Sequence, residues 1–518
     1  MKIVTVEQMV SIEKKANAEG ISYDTMMQNA GLGIANEVLK NVTSNQSVIG
    51  LVGSGNNGGD TLIALAELNK RGIRTTAFLV KSRSSDDLVK HYVDFGGQVV
   101  DISENQNLEY LKAALLPGTV VIDGILGTGT KLPIRGILAD IMEEVSRILK
   151  NSPDTLKIAV DCPSGVDCDT GEVSQVTFQV DFTLSMAAMK QGLLKHPARS
   201  YAGVLHQINI GIEQFTEETD VRLPLMLSDD FVCSSMPVRS DNAHKGTFGT
   251  CLVVGGSEPY VGAAFLTGKA AYRSGCGLVN IASLPVVYDA LAGKFPETIW
   301  TILPDVEGSY DLEGIPILQN SFLKADAMVV GPGWGLSEGN LVFLKGLLPA
   351  IPKNLPAVFD ADGLKLLKLI DAWWNLVPGQ TVLTPHPGEM SLLTGLKISE
   401  IQKNRWEIAS EYASKWQVTI ILKGALSVIA VPDGQIFINP FSNAALATAG
   451  SGDVLAGVIG GLLAQGSQVH LASICGVYLH ALAGIGVSHE LQNNVSVTAV
   501  DILDYVGSAI SQLKKTGD

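Results

Sequence analysis

Short apolar runs alternate with stretches of helical spacing along almost the whole chain, and many of the runs end in a glycine turn. Residues 47–52 (SVIGLV), 73–80, 98–101, 119–123 and 157–161 read as strands, with helical periodicity at 61–71, 86–95 and 107–115 between them. The runs are apolar at consecutive positions. Strands of that kind are buried on both faces, which demands a mostly parallel sheet with helices on either side. The alternation pauses at residues 213–230 (EQFTEETDVRLPLMLSDD), an acidic, irregular stretch with one proline. It resumes with strands at 249–255, 277–283, 326–330, 356–360, 380–383, 418–422 and 426–431, and helices at 261–274, 286–292, 400–415, 453–465 and 470–489. At 518 residues the chain exceeds what one core organises. The expectation is an α/β protein with one domain at 1–212, a linker at 213–227 and a second domain at 228–518.

Hydrophobic residues make up 46% of the chain and charged residues 17%, the balance of a packed globular protein. The formal net charge of −15 and the lack of any Lys/Arg-rich run argue against nucleic acid as a partner. Six cysteines (Cys162, Cys168, Cys233, Cys251, Cys276 and Cys475) are scattered with no Cys-x-x-Cys pair, as expected of reduced thiols in a cytoplasmic protein. The N-terminal stretch MKIVTVEQMVSIEKKANAEG lacks the apolar core of a secretion signal. The apolar stretch near 454–464 is too short to span a bilayer, so no membrane role is expected.

Two glycine loops, each ending in an aspartate, mark where chemistry belongs. The first, residues 53–60, reads GSGNNGGD between a strand and a helical pattern. Gly53, Gly55 and Gly58 satisfy G-x-G-x-x-G, a weak dinucleotide signal on its own. Asp60 at the helix start would repel a pyrophosphate, and the next strand ends in Lys81 and Arg83 where a ribose-binding acid would stand. Those cations would suit a 2′-phosphate, which leaves a nucleotide open. Two further strand ends converge on the same rim: Asp123 leading into GILGTGTK, and Asp161 leading into CPSGVD. Asn57, Asp123 and Ser164 offer oxygens to a cation, Asp161 offers an acid/base, and Lys131 offers a charge to a phosphate. A single strand-end aspartate is more often a turn cap, but two of them beside NNGGD favour a site.

The second loop, residues 448–453 (TAGSGD), precedes the apolar helical pattern VLAGVIGGLLA. Gly450, Ser451 and Gly452 bring N–H groups to a helix N-terminus, an anion hole, and Asp453 is placed to take a proton from an attacking hydroxyl. Residues 331–335 (GPGWG), 384–389 (TPHPGE) and 423–427 (KGALS) also follow strands and share that rim. His386, held between prolines, is a capping residue or a ligand contact. Lys423 is a surface charge or, after a buried strand, a phosphate contact.

NNGGD, DGILGTGTKLPIRG and DCPSGVD together resemble the YjeF N-terminal family of NAD(P)H-hydrate epimerases over roughly residues 1–212. The resemblance implies a Rossmann-like three-layer sandwich that interconverts the R and S hydrates of NADH and NADPH (NADHX and NADPHX). It assigns substrate contacts to Asn56, Asn57, Gly58, Gly59, Asp60, Gly127, Thr128, Gly129, Thr130, Lys131, Leu132, Pro133 and Asp161. It assigns potassium to Asn57, Asp123 and Ser164. Epimerisation needs a proton carrier, and Asp161 is the expected one.

Residues 228–510 resemble the ribokinase-like superfamily, and within it the ADP-dependent (S)-NAD(P)H-hydrate dehydratases. The residues that carry this are His244-Lys245-Gly246, Gly255-Gly256-Ser257, Gly262-Ala263-Ala264, Gly333, TPHPGE, Lys423-Gly424 and GSGD. The implied reaction phosphorylates the ring hydroxyl of the S hydrate from ADP, then expels phosphate, giving NAD(P)H and AMP. Ala263, Gly333, His386 and Asp453 would contact the hydrate. Lys423, Gly424, Ala425, Leu426, Ser427 and Gly452 would contact the nucleotide. Asp453 would be the catalytic base, and magnesium is expected on the nucleotide. A homo-oligomer is expected by analogy. The competing readings are a small-alcohol or vitamin kinase for the second half, a non-catalytic binding module for the first, and, last, a simple NAD dehydrogenase.

Overall fold

The computed structural model describes residues 1–42, 46–83, 86–103, 108–217 and 222–516. The chain forms two compact units, Met1–Leu223 and Pro224–Asp518.

The first unit is built on a seven-stranded sheet in the order Gln98–Asp101, Arg74–Leu79, Ser47–Val52, Val120–Gly124, Leu156–Val160, Phe182–Met186 and Val204–Ile208. Every neighbouring pair is parallel. The strand interiors are buried on both faces, as their unbroken apolar runs require. Val48 and Val52 face a core shared with Leu62, Leu65 and Ile34. Ile49 and Leu51 face the opposite core, with Ile141, Met142 and Val145 of the helix Ile137–Lys150. The result is three layers, α/β/α. Chain order reverses between Ser47–Val52 and Val120–Gly124, which pair with Leu51 opposite Asp123. A crevice at the carboxyl ends of such a pair is where open α/β sheets bind ligands.

The second unit carries a ten-stranded sheet in the order Leu225–Met226, Ile436–Ile438, Val428–Ala430, Thr419–Leu422, Thr381–Leu383, Ala357–Phe359, Ala327–Val330, Thr250–Val254, Leu278–Ser283 and Ile299–Ile302. It is parallel except where Val428–Ala430 pairs antiparallel with both of its neighbours. The helices Val261–Arg273, Ser451–Ala464, Val469–Leu491 and Ala499–Thr516 pack into one core with it. Val469–Leu491 has the length and apolarity of a membrane span, but 83% of its apolar window is buried inside the fold, as in a core helix.

Most expected strands are present within a residue or two at each end. The strands Phe182–Met186 (FTLSM), Val204–Ile208 (VLHQI) and Ile299–Ile302 (IWTI) break their apolar residues with Thr, Ser, His or Gln and escape a reading built on unbroken apolar runs. The stretch read as an irregular linker contains the helix Glu213–Glu217 and the strand Leu225–Met226, which pairs with Phe437 and Ile438. Residues 218–221 of that stretch lie outside the described residues, as does residue 107, where a helix was expected to start.

Gly53 sits where the first loop leaves its strand. A Cβ there would lie 1.8 Å from the Ile125 carbonyl oxygen, backbone that cannot rotate away. Gly53→Ala is expected to destabilise the first unit by about 3 kcal/mol through this overlap. The check is calorimetric unfolding of the full chain, in which an unchanged Tm would contradict it.

Candidate functional sites

In the first unit the rim is built from three strand ends and the helix Asn56–Lys70. Asn57, in the first turn of that helix, donates from Nδ2 to Val160 O at 2.5 Å and to Leu126 O at 3.2 Å, so one amide ties the two neighbouring strand ends together. Asp123 is buried. Its Oδ1 accepts from Ser164 Oγ at 2.6 Å and its Oδ2 from Ser164 N at 2.8 Å. Ser164 Oγ in turn accepts from Leu126 N at 2.9 Å. Burial pushes the Asp123 carboxyl up to about 6, against the hydrogen bonds from Ser164. Asn57, Asp123 and Ser164 therefore meet in one cluster whose side-chain and carbonyl oxygens are hard donors, the type a potassium ion takes.

Asp161 has φ +65°, a strained left-handed conformation for a non-glycine residue. It is held by Leu184 O, which accepts from Asp161 N at 2.8 Å, and by its own Oδ1, which accepts from Met186 N at 3.0 Å and from Lys190 Nζ. Lys190 is only 1% exposed and donates also to Met186 O at 2.8 Å. Asp60 is buried nearby. Burial, reinforced by Asp161 and Glu13, pushes its carboxyl well above the usual carboxylate range. One small volume thus holds an aspartate with an ammonium counter-ion and a buried aspartate whose carboxyl is pushed well above the usual range. The loop at 127–133 covers this rim, with Thr130 N and Oγ1 both donating to Gly127 O at 3.0 and 2.6 Å. Lys131 is exposed on it. Arg83, a candidate for a 2′-phosphate, is committed elsewhere: Nη1 donates to Gly53 O at 2.8 Å and to Gly55 O at 3.0 Å, and Nε to Asp86 at 2.7 Å.

In the second unit Gly450 takes a left-handed conformation as N-cap of Ser451–Ala464. Ser451 N donates to Thr448 O at 3.3 Å, and no acceptor is seen for the Gly452 and Asp453 N–H groups among the described residues. These two are the donors the helix start offers an anion. Burial and then the neighbouring Asp360 push the Asp453 carboxyl up to about 7, partly offset by Lys423. Asp360 is buried at the end of Ala357–Phe359. Its Oδ1 accepts from Thr384 Oγ1 at 2.6 Å and from Lys423 Nζ at 2.8 Å. Lys423 also lies 3.8 Å from Glu389, and about 3.5 Å separates its Nζ from where a Cβ on Gly452 would stand. Burial alone would lower the Lys423 pKa; Asp360 and Glu389 outweigh it and raise it.

Of the two readings of His386, the structure shows the cap. As N-cap of Pro387–Thr394 its Nδ1 accepts from Gly388 N at 3.0 Å, while its side chain stays 54% exposed on the rim. Ala263 and Gly333 are adjacent: a Cβ on Gly333 would be 2.7 Å from Ala263 Cβ. The turn at 424–427 is closed by Ser427 Oγ donating to Gly424 O at 3.0 Å. Lys423 is not the free surface cation of a plain reading but an ion-paired one.

Sequence reasoning missed Glu13, Lys190, Asp360 and the buried His480. Burial lowers the His480 pKa to about 4, beside the Ser451 backbone and Lys423. Asp360 ends a run already read as a strand, so the rule that found Asp123 and Asp161 would have found it. Lys190 carries no local signal, because its partner lies 29 residues away in the chain. Among the described residues no group of three or more His, Cys, Asp or Glu side chains is arranged to hold a metal ion.

Comparison with known proteins places both halves. Residues 251–507 match the family model of the NAD(P)H-hydrate dehydratases, and residues 23–192 that of the YjeF-related protein N-terminus. A bifunctional NAD(P)H-hydrate repair enzyme of Moorella thermoacetica is 34% identical, covering 99% of this chain and 98% of its own length. Its counterpart in Thermofilum pendens is 32% identical over 99% and 97%. An ADP/ATP-dependent NAD(P)H-hydrate dehydratase of Bacillus subtilis, co-crystallised with ATP and Mg2+, is 30% identical, covers 57% of this chain and 99% of its own, and superposes with a TM-score of 0.47. Two family models and relatives above 30% identity, covered over nearly their full length, agree: the chain belongs to the family of bifunctional NAD(P)H-hydrate repair enzymes.

Proposed function

We propose that the first unit interconverts the R and S hydrates of NADH and NADPH, and that the second returns the S hydrate to NAD(P)H with ADP as phosphoryl donor, releasing AMP and phosphate. The observation that carries this reading is that each rim sets a carboxyl raised by burial beside a lysine–aspartate ion pair. Epimerisation at the hydrated ring carbon requires water to leave and to return on the other face, with one proton in and one proton out. Asp60, whose carboxyl burial pushes well above the usual range, is the donor; Asp161, paired with Lys190, is the acceptor. Asn57, Asp123 and Ser164 would hold potassium, which supplies charge to the substrate's polar groups; the hydrate itself would lie against residues 56–60 and 127–133.

In the second unit Asp453 takes the proton of the ring hydroxyl as its oxygen attacks the terminal phosphorus of ADP, and AMP departs. The Gly452 and Asp453 N–H groups meet the charge on the transferring phosphoryl group. Lys423, held by Asp360 and Glu389, stands on the nucleotide side together with residues 424–427. Ala263, Gly333 and His386 line the hydrate side. The C–O bond of the phosphorylated carbon then breaks, phosphate leaves and the dihydronicotinamide is restored. Magnesium would neutralise nucleotide phosphates. Asp360 and Glu389 are already engaged with Lys423, so the nucleotide itself is its main ligand.

Given a mixed R/S hydrate of NADPH with ADP and magnesium, the full chain is expected to restore all of the dihydronicotinamide absorbance. Asp161→Ala is expected to stop at the S fraction and then creep at the spontaneous epimerisation rate. Complete conversion by that variant at the wild-type rate would refute the epimerase assignment.

Asp453 must be ionised to act. Its group sits near 7, so kcat/KM for dehydration of the S hydrate is expected to rise with pH through about 7 and level off above it. Asp453→Asn is expected to lower kcat by on the order of 10²–10⁴ and to remove that rise. A variant with the same pH profile as wild type would show that another group is the base.

A further inference from the structure

The first unit has a groove at the opposite end of its sheet from the Asp123–Asp161 rim. It lies at the amino ends of Leu156–Val160, Phe182–Met186 and Val204–Ile208, beside the end of the helix Ile137–Lys150, and encloses about 870 Å³. Its lining includes Lys150, Lys157, Arg199, Ser200 and Tyr201, with Asp181 as the one acid. In a chain of net charge −15 this is a cationic spot.

The charges do not cancel within the protein. Asp181 is committed to Lys157: its Oδ2 accepts from Lys157 N at 2.7 Å and lies 3.7 Å from Lys157 Nζ. No carboxylate pairs with Lys150 or Arg199 among the described residues. Arg199 is the informative group. Its Nη1 donates to Gly203 O at 2.7 Å, its Nε is buried with no acceptor, and burial lowers its pKa with no anion to offset the loss of solvent. An unpartnered donor on a partly desolvated guanidinium is a feature that an anion from outside would satisfy. The fork of Arg199, Lys150 and the Ser200 hydroxyl are the donors a tetrahedral oxyanion takes, beside Lys157, whose Nζ is shared between Asp181 and the Thr155 carbonyl at 3.1 Å. The Tyr201 and Phe178 rings beside them offer an apolar wall, and the volume is that of a small-molecule site.

We propose that this groove binds a small phosphate-bearing molecule, at a site separate from the two carboxyl-end sites. Nothing in this proposal depends on the hydrate chemistry above, so either can fail alone.

The test uses the full chain with arginine side chains labelled with 15N, and inorganic pyrophosphate as probe. The Arg199 Nε–Hε signal is assigned by its loss in Arg199→Lys. It is expected to shift saturably on titration, with at least tenfold weaker apparent affinity in the Lys150→Gln/Lys157→Gln variant. The single variant Lys150→Gln, altered at an exposed position, is expected to weaken binding in the same direction if the double variant does not fold. An Arg199 signal that stays still while pyrophosphate saturates the protein elsewhere would overturn the proposal. So would equal affinity in wild type and in the folded lysine variants, which would leave Arg199 as a cap for the Gly203 carbonyl.

Discussion

Each unit sets a lysine ammonium against a buried aspartate at the carboxyl edge of its sheet: the buried Lys190 with Asp161 in the first, the partly buried Lys423 with Asp360 in the second. Removing one partner from such a pair leaves a buried charge uncompensated, at a cost of about 3–5 kcal/mol. The rest of each rim depends on that constraint. In the first unit the pair fixes the loop after Leu156–Val160, including the strained φ of Asp161, against Leu184 and Met186 of the next strand. In the second it places Lys423 under the glycine loop, where its charge limits how far the Asp453 carboxyl is pushed up.

The chemical division of labour follows from the same pairs. Carboxyl groups of one intrinsic acidity are separated by where the cation sits. Asp161 has Lys190 at its oxygen, while the Asp60 carboxyl, without one in contact, is pushed well above the usual range by burial and by the carboxylates around it. Asp360 takes the direct contact with Lys423, and burial and the neighbouring Asp360 push the Asp453 carboxyl up to about 7. That is the arrangement by which one protein keeps an acid and a base ready at the same pH. The two units solve different problems with it: proton exchange on a carbon in one, proton removal ahead of phosphoryl transfer in the other.

Much of this was legible in the chain. Apolar runs without alternation announced strands buried on both faces, and a strand end followed by glycine announced a rim. That rule picked out Asn57, Asp123, Ser164, Asp161 and Asp453, and the structure places each at a strand end or in the loop or first helical turn near one. The rule failed where the signal was broken, short or absent. The strands Phe182–Met186 and Val204–Ile208 break their apolar residues with Thr, Ser, His or Gln, and the strand Leu225–Met226, hidden in the supposed linker, spans two residues. Lys190 and Glu13 reach the first rim from outside any recognisable motif, and His480 lies midway along a helix whose composition reads only as core. Arg83 was visible but misjudged, since nothing local shows that its donors are used up on the loop's own carbonyls.

The sequence by itself therefore determined the α/β class, the two-unit organisation and the positions of the glycine turns, because periodicity and turn chemistry are properties of neighbours in the chain. Only the tertiary structure decided which carboxyl groups are charged, which cations are free, and which groups share a site. Those properties depend on burial and on partners tens of residues away, such as Lys190 with Asp161 and Lys423 with Asp360, 29 and 63 residues apart.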